Sequence, residues 1–153
     1  MQIIHNAIGG KLVQSQSSRT QPVFNPATGE AIATLPLSTL SELQAAVDAA
    51  KKALPAWAAT TPMKRARVMF KFKELLEKNA AELARLISLE HGKVHDDALG
   101  ALARGIDCVD FACGIPQLLK GEFSRNVGPS IDSYSDRQPL GVGQYPSQLA
   151  LGA

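Results

Sequence analysis

The sequence of 153 residues lacks the features that mark several specialised classes of protein. It has no apolar run near the roughly 18 residues that a membrane span needs. Its net charge of +2 is too small to indicate a nucleic-acid or membrane-surface partner. The first residues, Met1 to Asn6, lack the basic region and long apolar stretch of a signal peptide. We therefore expect a cytoplasmic protein that binds neither nucleic acid nor a membrane.

Cysteine is also scarce, with Cys108 and Cys113 as the two in the sequence. Two cysteines do not form the disulfide framework of a small secreted domain. They fall within one expected helix, about a turn apart on one face, which predicts reduced, packed thiols. Because no histidine or other base accompanies them, neither is predicted to be a nucleophile.

Short apolar runs broken by turn residues occupy the first 37 positions. Gly9-Gly10 separates Ile3-Ile4 from Leu12-Val13, which is typical of a hairpin. Further along, Asn25-Pro26 begins a turn and Gly29 can take a positive φ, so the chain is expected to reverse there. Short strands are therefore expected in this part of the chain.

The hydrophobic period changes to that of a helix at Thr39. Thr39-x-x-Glu42 fits a capping box, in which the two side chains satisfy each other's backbone amides. Apolar residues then recur at helical spacing up to Leu54. Pro55 is expected to end this helix, with Trp57 packed over its end.

Three more helices are expected before the chain becomes extended again. Thr61-Pro62 is a start signal for the second, which should run to about Lys78 with one inward stripe formed by Ala66, Met69, Phe70, Lys73 and Leu76. Asn79 can cap a third helix, which His91-Gly92 stops. A fourth runs from about Asp96 to Cys113.

One final strand is expected where Ile131 to Gln138 alternate with period two. The coarse order of elements is short strands, four helices and one strand, which places the chain in the α/β class. A lone strand cannot satisfy its own backbone groups, so it must pair with the N-terminal strands or with partners elsewhere.

Two motifs suggest binding sites but are better explained by structure. His91 and His95 could share a helix face and bind a metal, but Gly92 lies between them and no third ligand is evident, so no metal site is predicted. The positive charge of a stretch that includes Lys71 and Lys73 is balanced by nearby glutamates. This pattern favours a solvated helix face over a nucleic-acid-binding patch.

Arg104 lies in a helical stretch that is otherwise apolar. A buried arginine needs an anionic partner, because an unpaired buried charge is costly. It could therefore form a salt bridge within the fold, or it could face a cavity and hold a ligand carboxylate by a bidentate contact. The residues leave both alternatives open.

Longer stretches of the sequence carry a family resemblance. The segments NPATGE (25–30), AVDAAKKALPAWA (46–58) and RARVMFKFKELLEKNAAELARLISLEHGK (65–93) resemble the N-terminal part of the aldehyde dehydrogenase superfamily. The segments 90–124 and 132–142 are similar to its CoA-acylating methylmalonate-semialdehyde dehydrogenase branch, and FACGIP (111–116) is the most branch-specific. The resemblance extends from about Gly9 to Val142.

The resemblance implies a division of the chain into two parts. Residues 1–142 match an N-terminal fragment of an incomplete, Rossmann-like NAD-binding domain, in which residues 131–140 begin the strand pair of the oligomerisation arm. Residues 143–153 depart from the family, and we expect them to be an aberrant, disordered tail produced by a frameshift. Sequencing the coding DNA downstream tests this expectation.

The resemblance also implies what this chain can and cannot do. The intact family uses NAD and CoA, and its nucleophilic cysteine, general-base glutamate and NAD loop all match positions beyond this sequence. We therefore expect no catalytic residue, no cofactor-binding residue, no bound cofactor and no activity in this chain alone. Arg104 matches a helix that borders the substrate tunnel, so it is the one substrate-binding candidate. Full-length homologous subunits are the expected partners.

Overall fold

The computed structural model describes residues 2–143 of the chain. They form seven strands and five helices: β1 (Gln2–Ile3), β2 (Asn6–Ile8), β3 (Lys11–Val13), β4 (Thr20–Phe24), β5 (Ala31–Pro36), α1 (Leu40–Ala59), α2 (Pro62–Lys78), α3 (Ala80–His91), α4 (His95–Cys113), α5 (Ile115–Leu118), β6 (Phe123–Gly128) and β7 (Ile131–Tyr134). The predicted α/β class is confirmed. Apart from Gly143, the tail expected at 143–153 lies outside the described residues.

β5 is the central strand of a three-stranded sheet. It pairs in parallel with β1 and antiparallel with β4. The turn between β4 and β5 begins at Asn25, whose side chain accepts a hydrogen bond from the Ala27 amide at 2.9 Å. Gly29 closes the turn with a φ of 74°, in the left-handed region that glycine enters without strain. The chain reversal predicted at this position is confirmed.

A separate hairpin consists of β2 and β3 and turns at Gly9-Gly10. The predicted hairpin turn is therefore confirmed, but its first strand differs from the prediction. Ile3 lies in β1 and pairs with Thr34 of β5. The sequence pattern could not reveal this pairing because parallel strands are joined through distant parts of the chain.

α1 begins with the predicted capping box. The Thr39 side chain accepts a hydrogen bond from the Glu42 amide at 3.3 Å, and the Thr39 amide donates to Glu42 Oε2 at 2.7 Å. Glu42 also accepts hydrogen bonds from the Gln16 amide at 2.7 Å and from Ser15 Oγ at 2.9 Å. One carboxylate thus caps the helix and fastens the loop that follows β3.

The prediction that Pro55 ends α1 is wrong, because the helix continues to Ala59 with Pro55 inside it. Proline removes one backbone hydrogen bond from a helix but does not always terminate it. The helix ends at Thr60, whose amide donates to Trp57 O at 3.1 Å and whose hydroxyl donates to Ala56 O at 2.9 Å. Trp57 accordingly lies within the helix and is 46% exposed.

α2 and α3 follow their predicted limits closely. Pro62 is the first residue of α2, and Asn79 separates the two helices. The Asn79 side chain donates to Leu75 O at 2.7 Å, so it caps the end of α2 rather than the start of α3 as predicted. Gly92 ends α3 with a φ of 79°, and a methyl group there would lie 3.0 Å from Pro26 Cγ. The end of α3 therefore abuts the β4–β5 turn.

The interior of the helical layer is lined mainly by small side chains. Within residues 2–143, the buried apolar residues of the helices are Ala66, Ala84, Ile87, Ala98, Ala101, Leu102 and Cys113. They bring α2 and α3 against α4, because alanine lets helix backbones approach closely. The predicted inward stripe of α2 is correct at Ala66 but wrong at Phe70, which is 55% exposed. No helix among the described residues is long and apolar enough to cross a membrane.

β6 and β7 form an antiparallel hairpin where a single strand was predicted. The sequence pattern does not indicate β6, because Asn126 interrupts the alternation within this strand and has a φ of 56°. Gly121 lies so close to Ser135 that a side chain would overlap the Ser135 carbonyl group. β7 ends at Tyr134, four residues before the predicted strand end.

We predict that replacing Glu42 with glutamine destabilises the region around α1 near neutral pH. Hydrogen bonds from the Thr39 amide and then the Gln16 amide hold the pKa of Glu42 below its ordinary value. A carboxyl group whose pKa is lowered by folding stabilises the folded state at pH values above its unfolded-state pKa. This stabilisation is lost as the pH falls through its folded-state pKa. The protection factors of the Gln16 and Thr39 amides, which correct for the intrinsic pH dependence of exchange, should therefore fall on acidification in the wild type and be low at all pH values in Glu42→Gln. Unchanged protection in the variant would contradict this role. Glu90→Gln, the same change at an exposed carboxylate of α3, serves as a control.

Candidate functional site on helix α4

Arg104 lies on the exposed side of α4. The buried residues Ala98, Ala101 and Leu102 define the opposite side, and Arg104 follows Leu102 by two positions, about 200° around the helix. The premise that Arg104 is buried is therefore wrong for this chain. The helix is apolar because it is rich in alanine and glycine, and these small residues also occupy its outer side.

The Arg104 guanidinium makes no ion pair with another described residue. A methyl group at Gly100 would lie 3.9 Å from Arg104 Nη1, so the side chain extends back along the helix over Gly100. The helical spacing places Cys108 and Phe111 on the same side, and both are exposed. A planar guanidinium that is free on this surface can donate two parallel hydrogen bonds to a carboxylate. Whether Arg104 holds a substrate stays a prediction.

The two cysteines do not share one face of α4. Five positions correspond to about 140° of rotation, so Cys108 is exposed whereas Cys113 is buried. Both are free thiols, but the prediction of two packed side chains is correct only for Cys113. The spacing itself could have revealed this, because positions three or four apart are those that share a face.

The histidines lie on opposite sides of a helix break. His91 is the last residue of α3 and His95 is the first residue of α4, with the non-helical Gly92, Lys93 and Val94 between them. They therefore do not form the two-histidine face of a single helix. Among residues 2–143, no three side chains of the metal-binding types cluster closely enough to hold an ion.

Two of the six basic residues of α2 form ion pairs with glutamates of the same helix, so the predicted pairing of this face is confirmed in part. Lys71 pairs with Glu74 at 2.6 Å, and Lys73 pairs with Glu77 at 3.3 Å. Lys73 also reaches Asp110 of α4 at 3.5 Å, a contact that the sequence could not reveal because it depends on how the helices pack. The Glu77 hydrogen bond, with the charge of Asp110, raises the pKa of Lys73. This arrangement fastens α2 to α4.

The described residues do not provide a dinucleotide cradle. Such a site needs a glycine-rich turn between a parallel strand and a helix N-terminus. The turn from β5 into α1 is Leu37-Ser38-Thr39, which has no glycine, and Glu42 already satisfies the Thr39 amide. The β5–α1 turn therefore does not have the form of such a cradle, and no step through NAD is assigned to these residues.

Residues 12–145 match the sequence profile of the aldehyde dehydrogenase family. The chain belongs to the aldehyde dehydrogenase family. It is 54% identical over 142 residues to a malonate-semialdehyde dehydrogenase of Pseudomonas aeruginosa, a match that covers 93% of this chain and 28% of the relative. The chain thus spans less than a third of the length of the curated relatives it matches.

Two solved structures extend the similarity to three dimensions. A methylmalonate-semialdehyde dehydrogenase from Oceanimonas doudoroffii superimposes with a TM-score of 0.86 at 55% identity, over 92% of this chain and 28% of the other. A protein from Sinorhizobium meliloti, described as a methylmalonate-semialdehyde dehydrogenase complexed with NAD, gives 0.89 at 50% identity, over 94% and 29%. The predicted resemblance to the N-terminal part of this family is confirmed.

We predict that the two thiols differ sharply in reactivity. A thiolate reacts only where reagent can reach it, so Cys108 should be modified quickly and Cys113 slowly. Titration with a chromogenic disulfide reagent should show one fast thiol in the native chain and two in denaturant. Cys108→Ser should remove the fast phase and Cys113→Ser should retain it. Two fast thiols in the native wild type would contradict the packing of α4.

Proposed function

We propose that this chain forms the N-terminal part of an NAD-dependent, CoA-acylating semialdehyde dehydrogenase that converts malonate or methylmalonate semialdehyde into an acyl-CoA. The observation that supports this most is the similarity to malonate-semialdehyde dehydrogenases along more than nine-tenths of the chain. Its contribution is structural, because the described residues supply helices and strands but neither a nucleophile paired with a base nor an NAD cradle. The chain alone is therefore inactive, and catalysis requires the rest of a family member.

Within the completed enzyme, Arg104 binds the carboxylate of the semialdehyde. Both proposed substrates carry a carboxylate beside the aldehyde, and arginine can hold such a group by two parallel hydrogen bonds. The Arg104 guanidinium is exposed and is not committed to another described charge. Its position on a packed helix gives the guanidinium a fixed base, which a surface loop would not provide.

A chimera tests this role directly. We expect residues 1–142, joined to the remaining part of the P. aeruginosa relative, to form NADH from malonate semialdehyde when NAD and CoA are present. Arg104→Gln should lower kcat/KM for malonate semialdehyde about 10- to 100-fold, the range for losing a charge-assisted hydrogen bond. The same variant should have little effect on propanal, which has no carboxylate.

Arg85→Gln is the matched control for this experiment. Arg85 is an exposed arginine whose partner, at 2.8 Å, is Glu82 on the same helix, so its loss should leave both substrates unaffected. An equal loss for propanal and malonate semialdehyde in Arg104→Gln would refute carboxylate binding. If the chimera is active but gives that outcome, the proposed dehydrogenase function stands and only the proposed role of Arg104 is refuted.

A second candidate function is non-catalytic docking onto full-length dehydrogenase subunits. The observation that favours it is the β6–β7 hairpin, in which every residue except Gly128 is exposed. A two-stranded hairpin is marginally stable by itself and presents unpaired backbone groups at its edges. Adding these strands to the edge of another sheet would satisfy those groups.

We predict that the tagged chain co-purifies with the full-length P. aeruginosa relative when the two are expressed together. Gly121→Ala should weaken this association because the new methyl group would overlap the Ser135 carbonyl and open the base of the hairpin. Gly114→Ala is the control, since a methyl group there meets its nearest atom at 3.4 Å. Recovery of the two proteins as separate species would eliminate docking, whatever the chimera shows.

A further inference from the structure

The Arg104 side chain lies over a position of α4 that has no side chain. Long side chains in helices extend toward the helix N-terminus, so Arg104 passes the residue four positions earlier. That residue is Gly100, and a methyl group there would lie 3.9 Å from Arg104 Nη1. Apart from the chain neighbours Leu99 and Ala101, no other side chain of residues 2–143 comes within 4 Å of that methyl position. The space beside Gly100 is therefore taken up by the guanidinium group.

One acidic side chain of α4 could compete for the Arg104 guanidinium. Asp107 is exposed and follows Arg104 by three positions, which is within ion-pairing reach on a helix. The two side chains nevertheless form no ion pair in the described part of the chain. The guanidinium lies toward Gly100, in the opposite direction along the helix from Asp107. Its place over Gly100 therefore keeps Arg104 available to another carboxylate.

We propose that Gly100 is a positioning residue for the substrate carboxylate, because its lack of a side chain lets the Arg104 guanidinium lie along α4 and away from Asp107. The inference rests on the proposed function, in which Arg104 binds the carboxylate of the semialdehyde. A methyl group at position 100 would already reach van der Waals contact with Nη1, so any longer side chain would occupy the space of the guanidinium. Arg104 would then take another rotamer, and rotamers directed toward Asp107 would bring it to a competing carboxylate.

The chimera described above tests this proposal with two sizes of side chain at position 100. Gly100→Leu should raise KM for malonate semialdehyde about tenfold and leave kcat nearly unchanged, because the carboxylate is held alike in the ground state and the transition state. Gly100→Ala should keep the wild-type KM, since 3.9 Å is an ordinary van der Waals distance. Propanal has no carboxylate and should react alike in all three proteins, which also checks that the variants fold.

A double variant separates positioning of Arg104 from crowding of the site. If Gly100 acts through Arg104, adding Gly100→Leu to Arg104→Gln should cause no further loss for malonate semialdehyde. A leucine that merely blocks the site would lower activity in both backgrounds. Ala45→Leu enlarges an exposed small residue of α1 and is the control, which should change KM for neither substrate.

A proton contact in the full chain tests the geometry without catalysis. Nuclear Overhauser effects should connect the α protons of Gly100 with the side-chain protons of Arg104, and their absence would overturn the proposal. In an active chimera, an unchanged KM in Gly100→Leu, equal losses for the two substrates or additive losses in the double variant would also overturn it and would leave the proposed dehydrogenase function standing. A wild-type chimera that forms no NADH from either substrate would refute that function and this inference with it.

Discussion

The close packing of α2 and α3 against α4 is the interaction on which the rest of the described structure depends. Four alanines, at positions 66, 84, 98 and 101, allow the helices to approach closely, and Ile87 and Leu102 are the large aliphatic side chains buried among them. Small side chains give close contact but little buried apolar area, so the hydrophobic stabilisation from this contact is limited. The Lys73–Asp110 ion pair adds a solvent-screened contact between α2 and α4, worth at most a modest amount.

This constraint explains why so many large apolar side chains stay on the surface. Phe72, Phe111 and Phe123 are all about half exposed or more, and no large side chain of residues 2–143 is fully buried. Side chains of this kind usually pack against further protein, which agrees with a chain that spans less than a third of its relatives. In the proposed larger enzyme, further parts of the protein would cover these side chains.

Local signals made much of the fold predictable from the sequence. The capping box at Thr39 and Glu42, the turn at Gly29 and the helix end at Gly92 each depend on a few neighbouring residues, and all three are confirmed. Three of the features that the sequence did not reveal concern interactions between distant residues. The parallel pairing of Ile3, the outward position of Arg104 and the Lys73–Asp110 contact depend on tertiary packing that no local pattern encodes. Pro55 is a failure of the opposite kind, in which a local signal was misleading. The proline predicted a helix end, but the remaining hydrogen bonds of α1 keep the helix continuous.

The candidate site was less predictable than the fold. The family resemblance drew attention to Arg104, but the residue pattern alone left a structural salt bridge equally open. In the structure, Arg104 forms no salt bridge with another described residue. Its guanidinium is therefore available to a ligand and is carried by a packed helix. Its chemistry suits a carboxylate ligand.

Hydrogen–deuterium exchange across the isolated chain tests most directly whether the α2–α3–α4 contact is the stable centre of this structure. The slowest amides should lie in the segments around Ala84 to Ile87 and Ala98 to Leu102, because opening them requires separating the packed helices. Amides of the β6–β7 hairpin should exchange much faster, since a hairpin without a partner strand opens easily. Exchange in the hairpin as slow as in α3 and α4, or uniformly fast exchange throughout the helices, would contradict this arrangement.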